Sequence, residues 1–346
     1  VKIKPKNVRV AIVFKNFASW TGMSHVGLNV AAITNARVLN QNGIRATVFP
    51  VKHNIDLVNA IYEYNREHKH PLTHVVISAP WLSRVDMESL VQGFPEIQFA
   101  IESHSNVGFL QADPQGMRRL REVQALAAVY SNIHVAGNSS RFVDWMETAY
   151  GEPVVWLPNL YPLSSAPTKH RWNGDRAIKI GVFGAVRPQK NFMTAAAAAL
   201  AVHQMVGVPV ELHMSTGGEG DGGSVSRAIT EMCERVPGFT LIRHLWEPWE
   251  KFIEVIAKMD VMIQPSYTES FNMITADGIF VGVPSVVSTA ITWVPTKWRA
   301  DSDDALDVAQ TCIQLLEDER AAKKGFKALE VHNKKSLRHW LKFLGI

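Results

Sequence analysis

The stretch PSYTESFNMITADGIFVGVPSVVS, residues 265–288, carries two acids with seven residues between them. Glu269 sits in a polar turn and Asp277 among small apolar residues. The apolar run Val261–Pro265 predicts a strand before that turn, and Met273–Val281 predicts a helix after it. A helix start offers free backbone N–H groups and the positive end of the helix dipole, which together favour an anion such as phosphate. Ser270, Phe271, Asn272 and Met273 lie at that start. Asp277 follows about five residues in, roughly 7 Å along the axis. Carboxylate oxygens accept hydrogen bonds from sugar hydroxyls, so one phosphorylated, hydroxyl-rich ligand could span both acids. The alternative at this level is an exposed turn acid and an internal cap.

A second set lies in IGVFGAVRPQKN, residues 180–191, where a predicted strand gives way through a turn to a helix. Gly181 and Gly184 permit close backbone approach. Arg187 and Lys190 place two cations at the end of that strand, able to clamp a diphosphate. Surface charges ahead of an amphipathic helix are the alternative. Neither G-x-G-x-x-G nor G-x-x-x-x-G-K-[ST] occurs here, so no dinucleotide or Walker fingerprint is present. Asp301-Ser302-Asp303 has a metal-binding D-x-D form, but it opens a predicted helix where acids serve as caps, and no metal is expected. The histidines show no zinc spacing. TGGEGDGGS, residues 216–224, lacks a following Lys and reads as a mobile loop. Trp246 and Trp249 read as core aromatics, with stacking on a base as the alternative.

These side chains need elements to position them. A chain of 346 residues suggests about two domains, and 47% hydrophobic with 20% charged residues is ordinary for a globular protein. Cys233 and Cys312 are the only cysteines, too few for a disulfide framework. No run approaches the roughly 18 apolar residues that span a bilayer, and the opening VKIKPKNVRVAIVF reads as a first strand rather than a leader. A cytoplasmic protein is expected.

Strands are predicted at Val8–Phe14, Ala46–Val51, His74–Ser78, Ile97–Ile101, Asn132–Ala136 and Val154–Leu157. Helices alternate with them at Val26–Asn42, Leu57–His68, Asp86–Gln92, Asp113–Val129 and Ser139–Tyr150. YPLSSAPTKHRWNGD, residues 161–175, reads as a linker. Strands at Lys179–Ala185, Pro209–Met214, Thr240–His244, Val261–Pro265 and Ser285–Ser288 follow. They alternate with helices at Asn191–Val206, Ser224–Val236, Glu250–Lys258, Met273–Val281 and Asp304–Asp318. The expected fold is α/β: two doubly wound, Rossmann-like domains, 1–165 and 166–328, facing across a cleft, with ligands at the carboxyl ends of the strands.

In these segments the chain resembles the GT-B glycosyltransferases, specifically the large retaining family called group 1 or family 4. That family carries E-x7-E in a P-S context. The match here is Pro265, Ser266, Glu269 and Asp277, with Asp as the second acid. It also carries a Gly-Arg turn followed by Lys. Gly184, Arg187 and Lys190 take that place, with Ala185 where the Arg would follow. The resemblance covers the whole chain in layout and is specific across 180–191 and 261–288.

The resemblance implies a nucleotide-sugar, UDP- or GDP-linked, as substrate, with no cofactor, and sugar transfer to an acceptor hydroxyl with retention. Lys190 and Arg187 would neutralise the diphosphate, helped by backbone N–H groups from Ser270 to Met273. Glu269 would hold donor-sugar hydroxyls beside the anomeric carbon, and Asp277 would accept from the ribose. Gly22, in ASWTGMSHVGL, would fit the family's glycine-rich loop near the donor phosphates; its neighbours Ser24 and His25 also suit helix capping. His104, in IESHSN, resembles the family's histidine facing the donor sugar. Glu269 and His104 are thus the catalytic candidates. An epimerase of nucleotide-sugars, or a non-catalytic relative binding nucleotide or nucleic acid, are the rivals.

Charge is uneven. Residues 1–170 carry +4, residues 171–322 carry −6, and residues 323–346 carry +6. Within the predicted C-terminal helix, 329–346, Leu337, Trp340, Leu341 and Leu344 form one apolar stripe, flanked by Lys334, Lys335, Arg338 and Lys342. The resemblance implies that this helix returns to pack on the N-terminal, acceptor-binding half. The expected acceptor is anionic: nucleic acid such as DNA carrying a hydroxylated base, or a lipid in an anionic membrane, with peripheral attachment to its inner face. A solvated surface is the alternative, and no protein partner is evident.

Overall fold

Strand β1, Arg9–Lys15, is buried along nearly its whole length. Its side chains alternate between two cores: Ala11 and Val13 in one, Val10 and Ile12 in the other. A strand covered on both faces needs the unbroken apolar run seen here, as in parallel sheets wrapped by helices. The computed structural model describes residues 7–16, 26–111, 113–163, 172–216 and 222–346.

Residues 1–162 and 333–346 form one compact unit, and residues 163–332 the other. In the first unit, β1 is joined by β2 (Arg45–Val51), β3 (His74–Ser78), β4 (Gln98–Ser103), β5 (Ile133–Gly137) and β6 (Val155–Trp156). All pairings are parallel, in the order β2-β1-β3-β4-β5-β6. Helices α1 (Val26–Gln41), α2 (Asn54–Glu67), α3 (Arg84–Gly93), α4 (Val107–Leu110), α5 (Pro114–Ala127) and α6 (Ser140–Tyr150) supply the crossovers. Their starts follow local rules. Ser83 accepts from the Asp86 N–H in a capping box, and Asp113 accepts from the Gly116 N–H ahead of Pro114.

The second unit repeats the scheme. Strands β7 (Ile178–Val182), β8 (Val210–Ser215), β9 (Phe239–His244), β10 (Val261–Gln264), β11 (Ser285–Ser288) and β12 (Arg299–Ala300) pair in parallel, in the order β12-β11-β10-β7-β8-β9. Helices α7 (Phe192–Val206), α8 (Gly222–Cys233), α9 (Trp249–Ile256), α10 (Met273–Phe280) and α11 (Ala305–Glu317) accompany them. From β7 the chain winds outward through β8 and β9, then returns to the other side of β7 with β10. The loops after β7 and β10 therefore meet at the point where winding reverses, the usual ligand crevice of an open α/β sheet.

Helix α12, Ala321–Phe343, starts in the second unit and ends in the first. Trp340 and Leu344 are buried in the core that holds Val10 and Ile12, with Leu337 and Leu341 packed against it. The Trp340 indole donates to the Pro158 carbonyl at 2.9 Å. Asn333 and Tyr161 exchange two hydrogen bonds, at 2.6 and 3.0 Å. Lys334, Lys335, Arg338 and Lys342 stay exposed.

Some elements differ from expectation. Strand β4 runs to Ser103 rather than Ile101, which draws Glu102 into the sheet. Strand β7 stops at Val182 rather than Ala185, because Gly184 turns the chain at φ +118°. Helix α12 begins at Ala321, ahead of the expected 329. The short α4 and β12 carry no pattern long enough to be read from sequence.

The end of α12 rests on His74. Its ring meets Phe343 edge-on at 5.0 Å, and it is hydrogen-bonded to the Phe343 backbone. Burial pushes His74 down to about 4, so it folds neutral. The unfolded chain binds a proton below about 6.5 where the folded chain does not, so stability is complete above that pH and falls as pH drops toward 4. Urea unfolding should show up to about 3 kcal/mol lost over that window through His74, a loss that His74→Gln removes. Equal pH slopes for the two proteins would contradict it.

Candidate functional site

At the winding reversal of the second unit, two loops are tied together before any charge is considered. After β7, a 3₁₀ turn at Pro188–Lys190 leads to Asn191, which sits in the left-handed region at φ +57°. The Asn191 side chain donates to the Pro265 carbonyl at 3.1 Å and to the Ser302 carbonyl at 2.6 Å. The Tyr267 N–H donates to the Gln189 carbonyl at 3.0 Å. Gly184 also donates its N–H to the Ser215 hydroxyl at 3.2 Å. Gly181 has a packing role: a Cβ there would fall 2.6 Å from the Phe183 ring.

This framework brings Lys190 to Glu269. The ammonium donates to Glu269 Oε1 at 2.5 Å, with the lysine side chain 27% and the glutamate 9% exposed. Asn272 donates to the same oxygen at 2.9 Å, and to Gln264 Oε1 at 3.3 Å. Its own Oδ1 accepts from the Thr275 N–H at 2.8 Å and so caps α10. Asn272 does this at φ +66°, a conformation that Asn tolerates better than most residues. One buried amide thus fixes both the helix start and the carboxylate. Phe271 stacks on Trp293 at 5.0 Å, and the Trp293 indole donates to the Phe271 carbonyl at 2.6 Å. Arg187, Ser270 and Met273 are half-buried around this turn.

The two acids of the motif differ. Asp277 is 1% exposed, and its carboxylate accepts from the Trp249 indole at 3.0 Å. Trp246 and Trp249 are not core residues as expected: both are half-buried, Trp246 in the turn after β9 and Trp249 as the first residue of α9. Asp301 and Asp303 bind their own turn, with Asp301 Oδ1 accepting from the Asp303 N–H at 2.9 Å. Among the described residues no group of three or more His, Cys, Asp or Glu side chains could hold a metal.

In the first unit His104 follows β4, 12% exposed. Its Nε2 lies 2.9 Å from Glu102 Oε2, and its Nδ1 lies 3.2 Å from the Asn138 amide nitrogen. Sequence reasoning missed Glu102 and Asn138 in the first unit, and chose Asn272 of the second only for its backbone N–H, not for its side chain. The one available signal was a glutamate between apolar β4 and a histidine. Gly22, Ser24 and His25 lie outside the described residues, as do 217–221 of the glycine-rich stretch.

Solved structures share this fold. HepE of Anabaena, in complex with UDP, is 13% identical at TM-score 0.60, covering 96% of this chain and 97% of that one. Sucrose-phosphate synthase of Thermosynechococcus elongatus is 15% identical at TM-score 0.61, covering 97% and 96%. TarM of S. aureus is 14% identical at TM-score 0.57; the match covers 84% of this chain but 59% of TarM. No curated protein matches by sequence. A family model described as family 4 glycosyltransferase in conflict systems matches residues 139–291. Over that stretch the chain is similar to the family 4 glycosyltransferases, and the fold it shares with the solved structures is GT-B. The matched stretch includes Lys190, Glu269, Asn272 and Asp277.

Proposed function

We propose that the protein moves a sugar from a UDP- or GDP-linked donor to an acceptor hydroxyl with retention of anomeric configuration. The observation that carries this reading is the Lys190–Glu269 contact at the strand-end crevice of the second unit. UDP is the first donor nucleotide to test, since HepE is seen with UDP and with UDP-glucose.

Each residue then has a defined task. Lys190 and Arg187 offset the diphosphate charge, and backbone N–H groups from Ser270 to Met273 add to it at the start of α10. Glu269 takes donor-sugar hydroxyls, and Asp277 accepts from the ribose beside the Trp249 indole. His104 is proposed as a hydrogen-bond partner of a donor-sugar hydroxyl. The acceptor oxygen bonds to the anomeric carbon as the bond from that carbon to the phosphate oxygen breaks. The leaving phosphate takes the electron pair and then the acceptor proton. Stabilising this departing charge is the main contribution of the protein.

The acceptor is proposed to be anionic, or held on an anionic surface, at the cytoplasmic side. The apolar stripe of α12 is committed to the core, which leaves its exposed Lys334, Lys335, Arg338 and Lys342 to meet charge rather than enter lipid. No helix among the described residues is long and apolar enough to cross a membrane.

Titration calorimetry with UDP- and GDP-sugars tests the donor. Lys190→Ala should cost about 1.5–3 kcal/mol of binding, the worth of a charge-assisted contact; unchanged affinity for the favoured donor would contradict the site. Binding to duplex DNA or to anionic vesicles should fall steeply as salt rises. A neutral acceptor used at a salt-independent rate, with neither surface bound, would contradict the anionic acceptor.

A further inference from the structure

The His104 network of the first unit carries more than a location. Asn138 Nδ2 lies 3.4 Å from Asn159 Oδ1, an oxygen that can only accept. The Asn138 amide nitrogen therefore faces both Asn159 and His104 Nδ1, and since it can only donate, His104 Nδ1 must accept. The ring proton then sits on Nε2 and is donated to Glu102 Oε2. The backbone holds this register: the Asn138 N–H donates to the Ser103 carbonyl at 3.1 Å, fixing the end of β5 against that of β4.

Glu102 is the unusual member. It is 0% exposed, and its Oε1 is buried without a partner. On the neighbouring strand, at the same register, the Ser78 hydroxyl is also buried without a partner. A buried carboxylate with one hydrogen bond is costly, and a neutral side chain of similar size would cost less. Packing does not explain its presence, whereas control of His104 does.

We propose that Glu102 is a positioning residue that holds His104 as a hydrogen-bond acceptor at Nδ1. So presented, the ring is matched to a hydroxyl of the ligand, which would take the place of the Asn138 amide. It is not matched to a phosphate or carboxylate oxygen, which cannot donate. Only the turnover arm of the test below rests on the transferase reading; the spectroscopic arm does not.

The test uses the full chain with ¹⁵N-labelled histidine, His104→Gln identifying the ring signals. In the wild type, Nδ1 should be unprotonated and Nε2 protonated. Glu102→Leu should leave folding intact or raise the melting temperature, scatter the tautomer, and lower kcat at least about tenfold with donor KM held. Glu102→Gln, whose carbonyl still accepts from Nε2, should keep the tautomer and recover part of kcat. It carries the test if Glu102→Leu fails to fold. A wild-type ring protonated at Nδ1 would overturn the proposal. So would a Glu102→Leu ring with tautomer and kcat unchanged, or a Glu102→Gln ring with the opposite tautomer. If the wild type transfers no sugar while its tautomer is as stated, the transferase reading fails and the positioning role stands.

Discussion

The contact between Lys190 and Glu269 is the constraint around which the second unit is organised. Neither charge is well hydrated, and a half-buried ion pair gains little unless further hydrogen bonds hold it. Asn272 supplies one of these, at the cost of a left-handed backbone, and Gln264 anchors Asn272 in turn. Asn191 and Tyr267 bind the two loops beneath it. A scaffold this interlocked keeps a cation and a carboxylate close together at the start of α10. A diphosphate would compete with Glu269 for the lysine, and would free that carboxylate to take hydroxyls.

Both candidate networks lie at the carboxyl ends of parallel strands, as open α/β sheets favour. They differ in chemistry. The network of the second unit pairs opposite charges around a helix start, suited to an anion with hydroxyls beside it. That of the first unit surrounds one buried carboxylate with neutral side chains and a histidine.

Much of this was legible before the coordinates. Alternating apolar runs are a strong signal in doubly wound folds, and both sheets and nearly every helix follow it. Glu269 and Lys190 could be chosen from spacing and from their places after β10 and β7. The rest depends on contacts that spacing does not encode. Glu269 and Asp277 differ in sequence context, but the partner that seals Asp277, Trp249 from another helix, could not be read from spacing, while Glu269 stays at the edge. Glu102 reads as the start of a loop because a carboxylate rarely ends a buried strand. Gly325 lies within α12, which begins ahead of the expected 329, and there the Trp298 ring leaves no room for a Cβ, 2.4 Å away.

Calorimetric titration of Glu269→Gln with UDP and with UDP-glucose tests the central claim, that Glu269 holds the donor lysine in reserve and then reads the sugar. The variant should bind UDP at least as tightly as the wild type, because the lysine has lost its competitor, and should no longer prefer UDP-glucose over UDP. Equal weakening of both ligands, with the preference intact, would show that Glu269 only supports the fold of the site and would contradict the account.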